Sequence, residues 1–96
     1  MIKRTKKGQI KHDEGVFKSA TWYKNRGFKT FADLPGWEKP KSIGGFIPDL
    51  IARKGKREIV VEIETKNTAN IDMEQQEAFE NYTKKSNNKT FRKKTV

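Results

Sequence analysis

The chain has 96 residues, with 22 Lys and Arg against 12 Asp and Glu, and its formal net charge is +10 at pH 7. It contains no Cys, which excludes a disulfide framework, a thiolate zinc site and a cysteine nucleophile, so we expect oxygen atoms to hold any metal ion. The length predicts one domain over 1–96, and no apolar run approaches the roughly 20 residues of a membrane span. We therefore expect a soluble, cytoplasmic protein that contacts no membrane.

The excess positive charge lies at the two ends of the chain. The basic segments 1–11 and 84–96 contain no acid, whereas the stretch between them is nearly neutral. Such segments favour contact with a phosphate backbone, because each Lys or Arg that meets a phosphate releases a condensed counterion. We expect nucleic acid, most often DNA, as the partner, and two solvated tails are the alternative. The predicted nucleic-acid-binding residues are Lys3, Arg4, Lys6, Lys7, Lys11, Lys84, Lys85, Lys89, Arg92, Lys93 and Lys94.

Apolar spacing predicts the first helix. Apolar residues from Val16 onward recur every three or four positions, which predicts a helix over 12–27 that stops at Gly27. His12, the one histidine, lies at the predicted helix start, where a capping or surface role is the expected one. We expect Trp22 to pack inside the protein or to contact a second copy of the chain.

Three strands are predicted next. Alternation over 28–32 predicts a short strand, and a long loop follows. Trp37 in this loop is expected to cover the edge of the sheet, or else to stack on an unpaired base. Apolar strands are predicted over 46–53 and 58–66, with a tight glycine turn between them, so these two form a hairpin.

A second helix and a last strand complete the prediction. Asn70 or Asp72 is expected to cap a helix that runs to about Lys85. The polar residue Gln75 interrupts the apolar stripe of this helix. Residues 89–96 alternate enough to form a closing strand, and a disordered basic tail is the alternative.

The predicted hairpin gathers acidic residues on one face. Asp49 in one strand shares that face with Glu62, Glu64 and Lys66 in the other. Opposed side chains on neighbouring strands lie about 5 Å apart at Cβ, so these carboxylates repel each other unless a cation neutralises them. Mg²⁺ is such a cation, since it favours one or two carboxylates together with water and substrate phosphate. The alternative is an ordinary solvent-facing hairpin, with Lys66 paired to one glutamate.

These residues resemble a known motif. IPDLIA at 47–52, a glycine turn and VVEIETK at 60–66 are similar to the motif of the PD-(D/E)xK nuclease superfamily, which includes archaeal Holliday junction resolvases and many phage nucleases. The resemblance covers about residues 12–82 and includes the order of elements. It implies an α/β fold with a restriction-endonuclease-like αβββαβ core, in which helices flank a central mixed sheet.

The resemblance also implies roles for single residues. Asp49 and Glu62 match the metal-binding carboxylates, and the main-chain carbonyl of Ile63 matches a further metal ligand. Glu14 matches the acid that many members place near the metal, although an exposed first-turn acid is the alternative. Gln75 matches the glutamine that some members present from the following helix, and a plain polar interruption is the alternative. The implied cofactor is Mg²⁺ or Mn²⁺.

The chain departs from the motif at the catalytic lysine. Glu64 occupies that position, and the lysine comes two residues later, at Lys66, on the same strand face. Either Lys66 reaches back to the attacking water, or Glu64 replaces it and binds a second ion, or the chain is a binding-only descendant. The implied catalytic residues are Asp49, Glu62, Glu64, Lys66 and Gln75.

The function implied is a metal-dependent endonuclease that hydrolyses DNA phosphodiester bonds. We expect structure-directed or nonspecific cleavage, similar to that of a Holliday junction resolvase, because so small a domain offers few elements for reading bases. A branched substrate would call for a homodimer, because paired incisions need two sites. The alternatives are a non-catalytic nucleic-acid-binding module with a nuclease-like fold and a small basic interaction protein.

Overall fold

The computed structural model describes residues 6–65 and 73–96. Its elements are α1 (Lys6–Asn25), β1 (Lys29–Ala32), β2 (Leu50–Lys54), β3 (Arg57–Glu64), α2 (Met73–Lys84) and β4 (Lys89–Thr95). This order of helix, three strands, helix and strand confirms the predicted α/β fold class. Within the described residues, no helix is both long enough and apolar enough to cross a membrane.

A four-stranded sheet in the order β1-β2-β3-β4 forms the centre of the protein. The first three strands pair antiparallel, and β3 pairs parallel with β4, so the sheet is mixed as predicted. Two buried apolar clusters lie on its opposite faces, one built with α1 and the other with α2. The predicted central mixed sheet with a helix on each side is therefore confirmed.

Side chains of β3 alternate between these two clusters. Ile59, Val61 and Ile63 contribute to the α1 cluster, whereas Val60 packs with Phe79 of α2. This alternation follows from the pleat of a strand that is buried on both faces. It places the even-numbered acids of β3 on the α2 face of the sheet.

The first helix starts earlier than predicted. α1 begins at Lys6 rather than at residue 12, so the part of the basic N-terminal segment that the structure describes is helical. This part contains no Pro, and its Lys and Gln residues favour a helix. The end of α1 agrees with the prediction, because Gly27 adopts a φ of +84° and the Phe28 N–H donates to the Tyr23 carbonyl over 3.1 Å.

The second strand is shorter than predicted. It begins at Leu50 rather than at residue 46. Phe46 instead pairs with Ile43 across a tight turn, and Pro48 has no N–H to give to a ladder. Asp49 therefore lies at the point where the loop enters β2.

The last strand is present from the predicted start to one residue before the predicted end. β4 pairs with β3 in register from Glu58↔Lys89 to Glu64↔Thr95, so the alternative of a disordered basic tail is wrong. Phe91 fixes it to α2, with its ring centroid 6.0 Å from that of Phe79. The predicted helix caps, Asn70 and Asp72, lie outside the described residues.

Candidate active site

Asp49 and Glu62 lie side by side where β2 begins and β3 approaches its end. The backbone N–H of Asp49 donates to Oε1 of Glu62 over 3.0 Å. In return, the backbone N–H of Ile63 donates to Oδ2 of Asp49 over 2.9 Å. Each carboxylate is thus held by a backbone donor from the other strand, and we call these two residues the carboxylate pair.

The carboxylate pair is largely withdrawn from water. Glu62 is 5% exposed, and the side chain of Asp49 is 15% exposed. Burial, together with the negative charge of Asp49 and to a lesser degree that of Glu64, raises the pKa of Glu62 to about 9. At neutral pH, Glu62 therefore carries a proton unless a cation takes the place of that proton.

His12 adjoins the carboxylate pair, so its expected capping or surface role is wrong. It is 6% exposed, and its Nε2 lies 3.2 Å from Oδ2 of Asp49, while its Nδ1 lies 3.1 Å from Oδ1 of Asp13. α1 can bring His12 this close because Gly15 lets the helix rest on β3. A Cβ at Gly15 would lie 2.9 Å from the side chain of Ile63.

The sequence contained a signal for His12. It lies four residues before Val16 and eight before Ala20, so it falls on the buried stripe of α1 once the helix is extended toward the N-terminus. Because the helix was predicted to begin at residue 12, His12 was placed at the helix start and not on its buried face.

The side chain of Gln75 and the backbone of Ile63 both face the carboxylate pair. Nε2 of Gln75 donates to Oε2 of Glu62 over 2.8 Å, so the polar interruption in the α2 stripe has a partner in the site. The N–H and C=O of a strand residue point to the same neighbouring strand, and the Ile63 N–H points at Asp49. The carbonyl of Ile63 is therefore directed past the start of β2, toward the carboxylate pair.

The other predicted site residues are more distant or lie outside the described chain. Glu14 is exposed on α1 and lines a shallow surface with Ile10 and Phe17. Glu64 is half-buried and acts on Glu62 through its charge. Lys66 lies outside the described residues. Within 6–65 and 73–96, no three His, Asp or Glu side chains are grouped closely enough to hold a metal ion.

The predicted nucleic-acid-binding residues that the structure describes fall on three elements, except Lys85, which lies in the turn after α2. Lys6, Lys7 and Lys11 lie on α1, and Lys84 is the last residue of α2. The basic residues from Lys89 to Lys94 belong to β4, which is an edge strand. Lys3 and Arg4 lie outside the described residues.

Trp37 lies against the α1 cluster as a half-buried side chain, with its ring 6.3 Å from that of Phe17. Lys24 lies 5.4 Å from the centre of the same ring. These contacts place Trp37 against α1, and its expected role at the edge of the sheet stays a prediction.

A mixed αβββαβ sheet that gathers two acids at the start of β2 and near the end of β3 defines the class of restriction-endonuclease-like proteins. The family model described as REase_AHJR-like matches residues 4–91 of the chain. The chain therefore belongs to this restriction-endonuclease-like family, which indicates a nuclease type of function and a nucleic-acid substrate. Comparisons with curated proteins and with solved structures gave no match.

Proposed function

We propose that this protein is a metal-dependent endonuclease that hydrolyses phosphodiester bonds in DNA, with Mg²⁺ or Mn²⁺ at the carboxylate pair. One observation carries the proposal: the carboxyl groups of Asp49 and Glu62 lie together, largely withdrawn from water, and among the described residues the His12 ring, 3.2 Å from Asp49, is the basic group beside them, with no Lys or Arg within ion-pair distance. Such a pair is unfavourable by itself, and a divalent cation would relieve the repulsion. Its position agrees with the PD-(D/E)xK motif.

The donor atoms fit the group proposed. Mg²⁺ needs only one or two carboxylates, since water and substrate phosphate complete its shell. Asp49 and Glu62 supply the carboxylates, and the carbonyl of Ile63 adds a neutral oxygen. Each ionised carboxylate has about four lone-pair sites, so the hydrogen bonds observed here leave accepting capacity for a cation.

The surrounding residues suit a metal site as well. Carboxylates that bind a metal are usually held by further hydrogen bonds, which fix their orientation. Here the Ile63 N–H donates to Asp49, and the Asp49 N–H and the Gln75 amide donate to Glu62, while the ring of His12 lies 3.2 Å from Asp49. His12 and Gln75 are therefore positioning residues in this proposal.

When bound, the ion would act as a Lewis acid toward the phosphoryl oxygen and lower the pKa of a water molecule. The chain has to hold the scissile phosphate beside the carboxylate pair and keep that pair ionised. Lys93 lies on the same face of the sheet, in register with Glu62, and donates to Oε1 of Gln76 over 3.0 Å. Whether Lys66 or Glu64 orients the attacking water stays a prediction.

The proposed substrate is DNA, because the basic side chains of the protein complement the negative phosphates of its backbone. The basic residues of α1 and β4 would bind phosphates, which positions a substrate without reading its sequence. Structure-directed or nonspecific cleavage is therefore proposed, with a resolvase-like homodimer if branched DNA is the substrate.

A non-catalytic nucleic-acid-binding module is the second candidate. Glu64 at the position of the usual lysine favours it, because Glu cannot supply the positive charge that stabilises the developing negative charge on the phosphate. This module would bind DNA equally well with and without metal.

Cleavage assays separate these candidates. Purified protein is incubated with supercoiled plasmid, linear duplex, single-stranded DNA and a four-way junction, in Mg²⁺, Mn²⁺ or EDTA. Asp49→Asn removes one charge from the carboxylate pair, and Asp33→Asn makes the same change at an exposed acid whose partner is Lys39. The nuclease proposal predicts metal-dependent cleavage that Asp33→Asn retains and Asp49→Asn loses. Cleavage by Asp49→Asn, or binding without cleavage in every metal, would contradict it.

A further inference from the structure

A basic groove runs between α1 and the edge strand β4. It lies on the α1 face of the sheet, opposite the face that carries Glu62, and it encloses about 310 Å³. α1 contributes Lys18 and Trp22, and β4 contributes Arg92 and Lys94. We call it the α1–β4 groove.

The sequence builds each wall of the groove by simple periodicity. Lys18 and Trp22 are spaced by four, so they lie on one stripe of α1, and Arg26 follows four residues later, just past the end of the helix. Arg92 and Lys94 are spaced by two, so they point to the same face of β4. The two rows therefore face each other across the floor of the groove.

All the charged side chains that line the groove are basic. The described residues that line it include three basic side chains and no Asp or Glu. Arg92 donates to the hydroxyl of Tyr23 over 3.3 Å, which holds its guanidinium without neutralising it. A polyanion is the complementary occupant, and a second copy of a chain with a net charge of +10 is not.

Trp22 adds an aromatic surface to these charges. Its side chain is 46% exposed, which is unusual for so large an apolar group. The guanidinium of Arg26 lies 3.7 Å from the ring centroid, and the ring of Tyr23 meets it nearly at right angles at 4.9 Å. These contacts hold the indole in one orientation. The guanidinium of Arg26 also places a positive charge beside the ring.

We propose that the α1–β4 groove binds an unpaired strand of DNA. Lys18, Arg92 and Lys94 would contact successive phosphates, and Trp22 would stack on a base. Proteins that bind single strands combine a positive groove with exposed aromatic rings in this way. A duplex could use the charges but not the ring, because its bases are already stacked on each other.

The groove and the carboxylate pair lie on opposite faces of the sheet but near the same end of β3 and β4. Lys94 is in register with Ile63, whose N–H binds Asp49. A strand that leaves the groove at Lys94 therefore reaches the end of the sheet where the carboxylate pair lies. Substrates with an unpaired strand next to the cleaved bond would be preferred. This preference rests on the proposed nuclease function, whereas binding in the groove does not.

Binding is measured by the fluorescence anisotropy of a labelled oligothymidylate and of a labelled duplex, both in EDTA, so that absence of cleavage cannot affect the result. Trp22→Ala is expected to weaken single-strand binding about tenfold or more and duplex binding less than about twofold. Trp22→Phe should keep part of the affinity. Phe17→Ala is the matched control, because Phe17 is 53% exposed on the same helix but outside the groove.

Two double variants with the same change in net charge test whether the basic residues on the two walls of the groove bind the strand. Lys18→Gln with Lys94→Gln should weaken single-strand binding more than Lys24→Gln with Lys56→Gln, although both lower the net charge by two. Melting temperatures confirm that all variants fold. Equal losses in the two pairs, or equal losses of single-strand and duplex affinity in Trp22→Ala, would overturn the proposal. A wild-type dimer that Trp22→Ala converts to a monomer would overturn it in favour of a second copy.

Discussion

Replacing Glu62 with Gln is predicted to stabilise the metal-free protein. The pKa of Glu62 is about 9 in the folded protein, against an ordinary value of 4.5, so the folded chain keeps a proton that the unfolded chain has lost at pH 7. Because folding requires Glu62 to take up this proton, the free energy of unfolding is lower by about 3 kcal/mol at pH 7 than it is below pH 4.5, at 1.36 kcal/mol for each pH unit above 4.5. A neutral amide of the same shape avoids this cost.

The geometry allows Gln at position 62. Its oxygen can accept from the Asp49 N–H, as Oε1 of Glu62 does over 3.0 Å. Its NH₂ group would then face Gln75, whose amide can rotate to present its oxygen. We therefore expect most of the gain to be realised, with some loss for the rearrangement.

The measurement is urea unfolding of wild type and Glu62→Gln between pH 4 and pH 9 in EDTA. Because the folded pKa of Glu62 is raised, the contribution of Glu62 to wild-type stability is most favourable below pH 4.5 and becomes less favourable as the pH rises toward 9. The variant lacks this contribution to the pH dependence. The two proteins should be similar at pH 4 and differ by about 3 kcal/mol at pH 7. A variant that is less stable at pH 7, or a difference independent of pH, would refute the assigned environment of Glu62.

Three further predictions concern residues around the site and the ends. His12→Leu should weaken metal binding about tenfold or more, measured by titration with Mn²⁺, because Asp49 loses a group that orients it, and His12→Gln should lose less. Burial opposes ionisation of Glu58, but the Tyr82 hydroxyl, Lys41 and Arg53 outweigh it and hold its pKa below 4.5. Glu58→Gln should therefore lower the melting temperature at pH 7, and the difference should shrink as the pH falls through the lowered pKa of Glu58; a difference that does not shrink on acidification would contradict this. Removing residues 1–5, with two basic side chains, should weaken DNA binding and reduce the salt slope by up to about two, and an unchanged slope would contradict contact with phosphate.

Local sequence patterns determine most of the fold. Apolar runs separated by a glycine turn predicted the β2–β3 hairpin, and the face on which Asp49 and Glu62 meet followed because successive side chains of a strand point to opposite faces of the sheet. The helix stop at Gly27 was predictable because a positive φ favours glycine. The polar interruption at Gln75 marked an α2 side chain that donates a hydrogen bond to Glu62.

Other features depend on contacts between distant segments. β4 is too polar to be recognised with certainty as a strand, and it forms because β3 is buried and requires a partner on each side. His12 reaches Asp49 only through the close approach of α1 to β3 at Gly15, which no pattern within α1 reveals. The α1–β4 groove likewise exists only where two elements that are far apart in the chain meet.

Titration of the purified protein with Mn²⁺ tests the central claim most directly, because it asks whether the carboxylate pair holds a metal ion. Wild type and Asp33→Asn, which changes an exposed acid, should bind Mn²⁺ with the same affinity. Asp49→Asn, which removes one charge from the pair while keeping its shape, should lose that binding. Equal Mn²⁺ affinity in Asp49→Asn and wild type, or no Mn²⁺ binding by any of the three proteins, would contradict the assignment of a metal centre to Asp49 and Glu62.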